Sequence, residues 1–463
     1  MSLKQIKWTI FIITVIGNFI AMLDSTSVNL ALYPMSKDLG VSLAQIQWVV
    51  IAYMLTLTVF LPFFGKLGDI FPKNKLYCTG FIVFAVGATL NTISSGLIQL
   101  IFFRCIEAIG ASIMLSNAQA IIATIFKNEE RGKALGLNGC IIAIAGMTGP
   151  ALGGILINSF SWRAIFIPCI PIALVGAYFA YKMLPSYSEK LTKDFKFDYK
   201  GFLYFTVSLL SLLLAISQGK NWGWQSFQII VLGLITLIFG GLFYFRDHKI
   251  NYPLINFSMF KIKTFSFGNI AVMLSYMAMF TNSVLLPFFL QELQGRNPFV
   301  SGLLILPYAL TLSVTAPISG NLSGKIGSHK LTLAGPCVFI TALVLFTIYG
   351  KDAQVWQIVI ASGLLGIGNG LFQSPSNNAI MTSVKNEELG IASGILALSR
   401  NMGHILGIAI TITLFDSFRT IFLQNNSFDT AFLSAYRLTM IIGILIGLLC
   451  LTCAYVAYKP TDK

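Results

Sequence analysis

Apolar residues run along this chain in long unbroken blocks, without the one-sided 3.6-residue stripe of a helix lying on a water-soluble core. Fourteen blocks of about 20 residues, the length that crosses a ~30 Å hydrocarbon layer, are read as helices. They cover 8–33, 45–65, 76–94, 97–118, 134–158, 163–184, 200–218, 227–245, 265–290, 300–322, 331–349, 354–373, 389–415 and 431–457. The pattern predicts an all-α polytopic membrane protein, with both ends on one side because the count is even. The longest polar break, Pro185 to Lys200, carries Lys190, Lys193, Lys196 and Lys200 and reads as a linker beside an anionic leaflet.

Composition agrees and charge refines the picture. The 463 residues are 56% apolar and 10% charged, with a mean hydropathy of +0.79; a soluble domain carries about 25% charged residues. The net charge of +14 would suit nucleic acid, but its distribution points elsewhere. Alternate connections hold 22 of the Lys and Arg residues and the opposite set 7, with Arg104 and Arg400 inside helices. That asymmetry is the positive-inside rule, so both termini are expected in the cytoplasm of a plasma membrane and no nucleic-acid partner is expected. The first helix has no small-residue cleavage site and is expected to stay in place. All seven Cys lie in apolar segments, Cys450 and Cys453 included, and read as small packing residues. No metal site and no cofactor are expected.

An internal repeat organises the helices. Tyr53 to Leu67, YMLTLTVFLPFFGKL, and Tyr308 to Leu322, YALTLSVTAPISGNL, share 8 of 15 positions at a constant offset of 255, with Pro62 aligned on Pro317 and Gly65 on Gly320. The second helix is thereby paired with the tenth, and the seventh and eighth become an insertion. The expected plan is 1–185, a six-helix half; 186–262, the linker and two inserted helices; and 263–463, a second six-helix half. Parallel repeats of this kind hold their binding site between the halves near the midplane.

Polar residues inside the apolar blocks supply the chemistry. Asp24 is the one formal charge in Trp8 to Tyr33, and about 13 Å of helix follows it before Pro34. It reads as a pathway or proton site, or as a solvated helix end. Arg104 and Glu107 share a face at i, i+3, and Arg104 can neutralise Glu107 or Asp24. Gly65, Gly68, Asp69, Lys73 and Lys75 read as a rim contact, with Arg131 or Lys133 as partners of Asp69, or as an ordinary basic loop. Small residues Ala145, Gly149, Gly153 and Gly146, Pro150, Gly154 form two rows that bring backbones close. Asn29, Trp48, Tyr53, Phe280, Phe372, Gln373, Asn377 and His404 are candidates for a polar and aromatic cavity suited to planar cations. His404 reads equally as a hydrogen-bonded packing residue or a proton relay.

These motifs, in this order, resemble those of the major facilitator superfamily, and within it the fourteen-helix drug:proton antiporters of Gram-positive bacteria. LDSTSVNLAL resembles the first-helix acidic motif, GKLGDIFPKNK the loop after the second helix, RCIEAIG the fourth-helix arginine motif, and GMTGPALGG the fifth-helix antiporter motif. The resemblance implies a monomeric exporter of hydrophobic, often cationic drugs such as quaternary ammonium compounds, dyes and quinolones. A proton gradient would drive it, with Asp24, Glu107 and Arg104 coupling, and with Gly65, Asp69, Lys73 and Arg131 gating. Glu107 stands where the family commonly has Gln, His404 where relatives often have Gly, and Gly324 where the second copy would repeat Asp69. Glu107 is expected to be free toward the cavity and to exchange a proton; the alternative is a structural pair with Arg104. A lipid or metabolite carrier on the same fold is the rival reading. With three His and no Ser/His/Asp or metal-ligand set apparent, an enzyme is not expected.

Overall fold

The computed structural model of the chain describes residues 3–41, 43–126, 128–184, 198–250, 255–296 and 298–458. Its long helices are α1 (Leu3–Leu39), α2 (Trp48–Ile70), α3 (Lys73–Thr92), α4 (Leu97–Ile125), α5 (Asn128–Ser159) and α6 (Cys169–Met183). Then come α7 (Tyr199–Trp222), α8 (Phe227–Asp247), α9 (Lys263–Phe288) and α10 (Pro298–Ile326). The last four are α11 (Ser328–Ile348), α12 (Val355–Thr382), α13 (Leu389–Leu423) and α14 (Phe428–Tyr458). Each apolar block coincides with one of them. Among the described residues, 13 stretches are long and apolar enough to cross a membrane. The helix outside that set is α3, whose Lys73, Asn74, Lys75 and Asn91 dilute its hydropathy. The expected basic linker falls on 185–197, outside the described residues, while Lys200 lies in the first turn of α7.

In hydrocarbon every backbone N–H and C=O must be satisfied within the segment, which is why the chain is helical wherever it is apolar. The helix stops are local. Gly223 at φ +87° and Gly327 at φ +86° let the chain turn from α7 to α8 and from α10 to α11 in a region closed to most side chains. Asp198 caps α7 by accepting the Gly201 N–H at 2.9 Å and also receives Arg246 Nε of α8 at 2.8 Å, tying the hairpin together.

Helices α1 to α6 pack on one another, as do α9 to α14. The first group centres on Tyr77, Phe81, Phe84, Ala108 and Ala111, and the second on Phe265, Phe289, Phe339, Phe346 and Tyr436. Two crossings carry most of the contact between the groups, α2 on α13 and α5 on α10. At the first, a Cβ on Gly65 would stand 2.6 Å from the Gly390 carbonyl oxygen; at the second, one on Gly136 would stand 2.7 Å from Pro317 Cα. Without a hydrophobic effect between helices in lipid, such backbone approach supplies the contact energy. The α7–α8 hairpin covers the first seam, with Leu209 and Leu213 packed beside Leu55 and Val59 of α2 and Leu398 and Met402 of α13.

Candidate functional site

The site is built around Arg104, which α4 holds almost wholly buried, 1% exposed. Its Nη1 donates at 2.6 Å to Asp24 Oδ2 of α1 and at 2.6 Å to Glu107 Oε2, one turn along α4. The guanidinium lies 4.1 Å from the centre of the Tyr53 ring of α2. Asn91 of α3 donates to Glu107 Oε2 at 2.6 Å. One guanidinium therefore serves two carboxylates. Asp24 Oδ1, Glu107 Oε1, Arg104 Nε and the Tyr53 hydroxyl are buried with no hydrogen-bond partner among the described residues.

The geometry corrects two readings. Asp24 is not a lone acid, and Glu107 is not free toward a cavity, because Arg104 meets both carboxylates at once. Tyr53 is buried against the ion cluster, and Phe372 is fully buried in the second core. With both acids ionised the cluster holds one net negative charge inside the apolar bundle. A proton or a cationic guest would cancel it.

The small rows of α5 hold the Asp24 turn in place. Ser27 Oγ donates to the Gly149 carbonyl at 2.9 Å and also to its own helix at Leu23 O, 2.8 Å. A Cβ on Gly146 would lie 3.4 Å from Met22 Cε, and Gly153 and Gly154 face Ser27 and Leu30. The Pro150 side chain lies outside the described residues. The row thus packs on α1, whereas the start of α5 packs on α10.

Asp69 does not meet Arg131 or Lys133. Its carboxylate accepts the Gly390 N–H at 2.5 Å and the Ile391 N–H at 2.9 Å, at the first turn of α13. Free N–H groups and the positive end of the helix dipole meet there, so an acid from α2 replaces a side-chain cap that α13 lacks. Arg131 instead donates from Nη2 to the Ala123 carbonyl at 2.5 Å, near the end of α4. Lys73 Nζ lies 3.4 Å from Thr124 Oγ1.

The remaining candidates separate. His404 of α13 packs against Phe280 of α9, ring centres 3.6 Å apart, and against Tyr276 at 5.8 Å. Gln373 and Asn377 are half-buried on α12, Trp48 is half-buried at the start of α2, and Asn29 is exposed. Spacing missed Asn91, Gly390 and Ile391. An amide near the end of α3 was a faint signal for the first, and a backbone N–H leaves none for the others. Among the described residues, no cluster of three or more His, Cys, Asp or Glu is placed to hold a metal.

Fold and buried charges together define a multi-pass helical membrane protein with an ion cluster inside its bundle. The chain belongs to the Major Facilitator Superfamily, whose model matches residues 14–246 and 268–463. It is 32% identical over 462 residues to the riboflavin transporter RibZ of Clostridioides difficile (strain 630), covering 100% of this chain and 99% of that one. It is 30% identical over 409 residues to the multidrug transporter protein MdtP of Bacillus subtilis (strain 168), covering 88% and 75%. Among solved structures it superposes on the human organic anion transporter MFSD10 with a TM-score of 0.68 at 12% identity, covering 97% and 99% of the chains. The protein is therefore a transporter of small molecules in a lipid bilayer, not an enzyme.

Proposed function

We propose that the chain is a proton-coupled exporter of hydrophobic, often cationic compounds, working by alternating access. The observation that carries this reading is the odd charge of the Asp24–Arg104–Glu107 cluster. A buried group of two acids and one base is cheaper to keep when a proton or a cation balances it. Proton and cationic guest then compete for one excess charge, which is the minimal logic of antiport. The multidrug relative lends support. We also take the chain as fourteen crossings with both termini in the cytoplasm, divided at 1–185, 186–262 and 263–463. A cysteine placed within 185–200 should label only from inside the cell, and labelling from outside would refute that plan. On this topology Asp69 and Gly390 close the cytoplasmic end of the α2–α13 seam.

The test is substrate-induced proton release. Ethidium added to purified protein should release protons, and Asp24→Asn should abolish both that release and ethidium export at matched protein level. Full export by Asp24→Asn would sink the proposal. One observation favours a second reading, a carrier of a single metabolite on the same fold: the riboflavin transporter matches this chain end to end. Saturable riboflavin flux that dyes and quinolones do not inhibit would decide for it.

A further inference from the structure

Arg400 is a half-buried cation inside α13, and unlike Arg104 it has no acid paired with it among the described residues. It lies eleven residues into α13, about 16 Å from the helix start. Its Nη2 is buried without a hydrogen-bond partner among the described residues. Tyr276 of α9 lies near enough to act on it electrostatically, and among the described residues no ion pair joins it to a carboxylate. A guanidinium left unpaired in an apolar bundle is costly unless something occasionally pairs with it.

Its surroundings form a wall of rings. Tyr276 and Phe280 of α9 meet His404, one turn beyond Arg400 on α13. Tyr308 of α10 reaches across to Met279 of α9, its hydroxyl 2.7 Å from the sulfur. Arg400, Tyr276, Phe280, His404 and Tyr308 are all half-buried, each keeping part of its surface open to a guest. One turn back along α13, Ala397 packs into the core of the first helix group.

We propose that Arg400 and the Tyr276–Phe280–His404–Tyr308 wall form a subsite for the carboxylate of a planar aromatic guest. Guanidinium matches carboxylate with two parallel hydrogen bonds, and rings take the flat body. The two charged centres then have opposite signs, one excess negative charge at Asp24–Arg104–Glu107 and one positive at Arg400. The guests favoured are zwitterions of this shape, whose cationic end suits the first centre and whose carboxylate suits the second. This deepens the exporter reading and rests on it for the route, but its own test is binding.

The probe is norfloxacin and its methyl ester, which differ at the carboxylate alone, titrated onto the full-length protein in phosphatidylcholine nanodiscs so that no anionic lipid competes. The native protein should bind the acid at least tenfold tighter than the ester. Arg400→Gln should bring the two within twofold, and Arg400→Lys, a point charge without the planar fork, should keep an intermediate preference. An acid-to-ester ratio near one in the native protein would overturn the proposal even if Arg400→Gln cannot be purified. A ratio that survives in Arg400→Gln, with both ligands weakened alike, would also overturn it and make Arg400 a packing residue. Flux is read separately in proteoliposomes: acid preference without proton-driven export would fail the exporter reading alone.

Discussion

Replacing Glu107 with Gln tests how the buried cluster couples to protons. The change keeps the side chain's shape and its contacts with Arg104 Nη1 and Asn91 Nδ2, both now 2.6 Å, but removes one of two negative charges. What remains is a balanced Asp24–Arg104 pair, so the cluster loses the excess charge that a proton would cancel. The loss of one charge-assisted hydrogen bond costs roughly 1.5–3 kcal/mol, and relief of an unbalanced buried charge offsets it, so the fold should survive with a small change in melting temperature. Coupling should not survive. One proton moved through a gradient of one pH unit supplies about 1.4 kcal/mol, a tenfold accumulation of substrate. Proteoliposomes with such a gradient and a clamped membrane potential should therefore accumulate ethidium about tenfold less with Glu107→Gln. An unchanged accumulation ratio, with a lowered melting temperature, would refute the coupling role and leave Glu107 as the structural partner of Arg104.

Asp69→Asn removes the charge that accepts two backbone N–H groups of α13, each worth roughly 1.5–3 kcal/mol when the acceptor is ionised. Equilibrium binding should hold nearly constant while turnover falls and cysteines introduced near Gly390 become more reactive; collapsed affinity with normal turnover would argue against a latch. At the other face, Asp38 accepts Trp162 Nε1 at 3.0 Å and Arg163 Nη1 at 2.7 Å, and these bonds, Trp162 first, hold its carboxyl below the ordinary 3.8. A depressed carboxyl lends stability above its ordinary value and loses it as pH falls through the folded value. The melting difference between the native protein and Asp38→Asn should thus be constant from pH 8 to 5 and shrink only below about 4; a difference that vanished between pH 7 and 6 would contradict this.

The helices were legible because lipid removes the ambiguity of amphipathic patterns: an apolar block of the right length has one stable backbone form. The repeat carried more than topology. Its aligned glycines fall on the two crossings, Gly65 against Gly390 and Gly320 against Gly132, so a match read as an internal repeat also marks where the two helix groups touch. The ion cluster was half legible. Spacing put Arg104 and Glu107 on one face and left Asp24 as a rival partner; only the fold shows both acids on one guanidinium nitrogen, 80 and 3 residues away. The partners of Asp69 were misread for a physical reason. Asp69 was matched to basic side chains because side chains are what a sequence displays, whereas its partners are the N–H groups of a helix start, which any residue but proline can supply. Arg400 is the converse case. Its importance lies in the partner it lacks, and the absence of a partner is a property of the surrounding space that no spacing in the chain encodes.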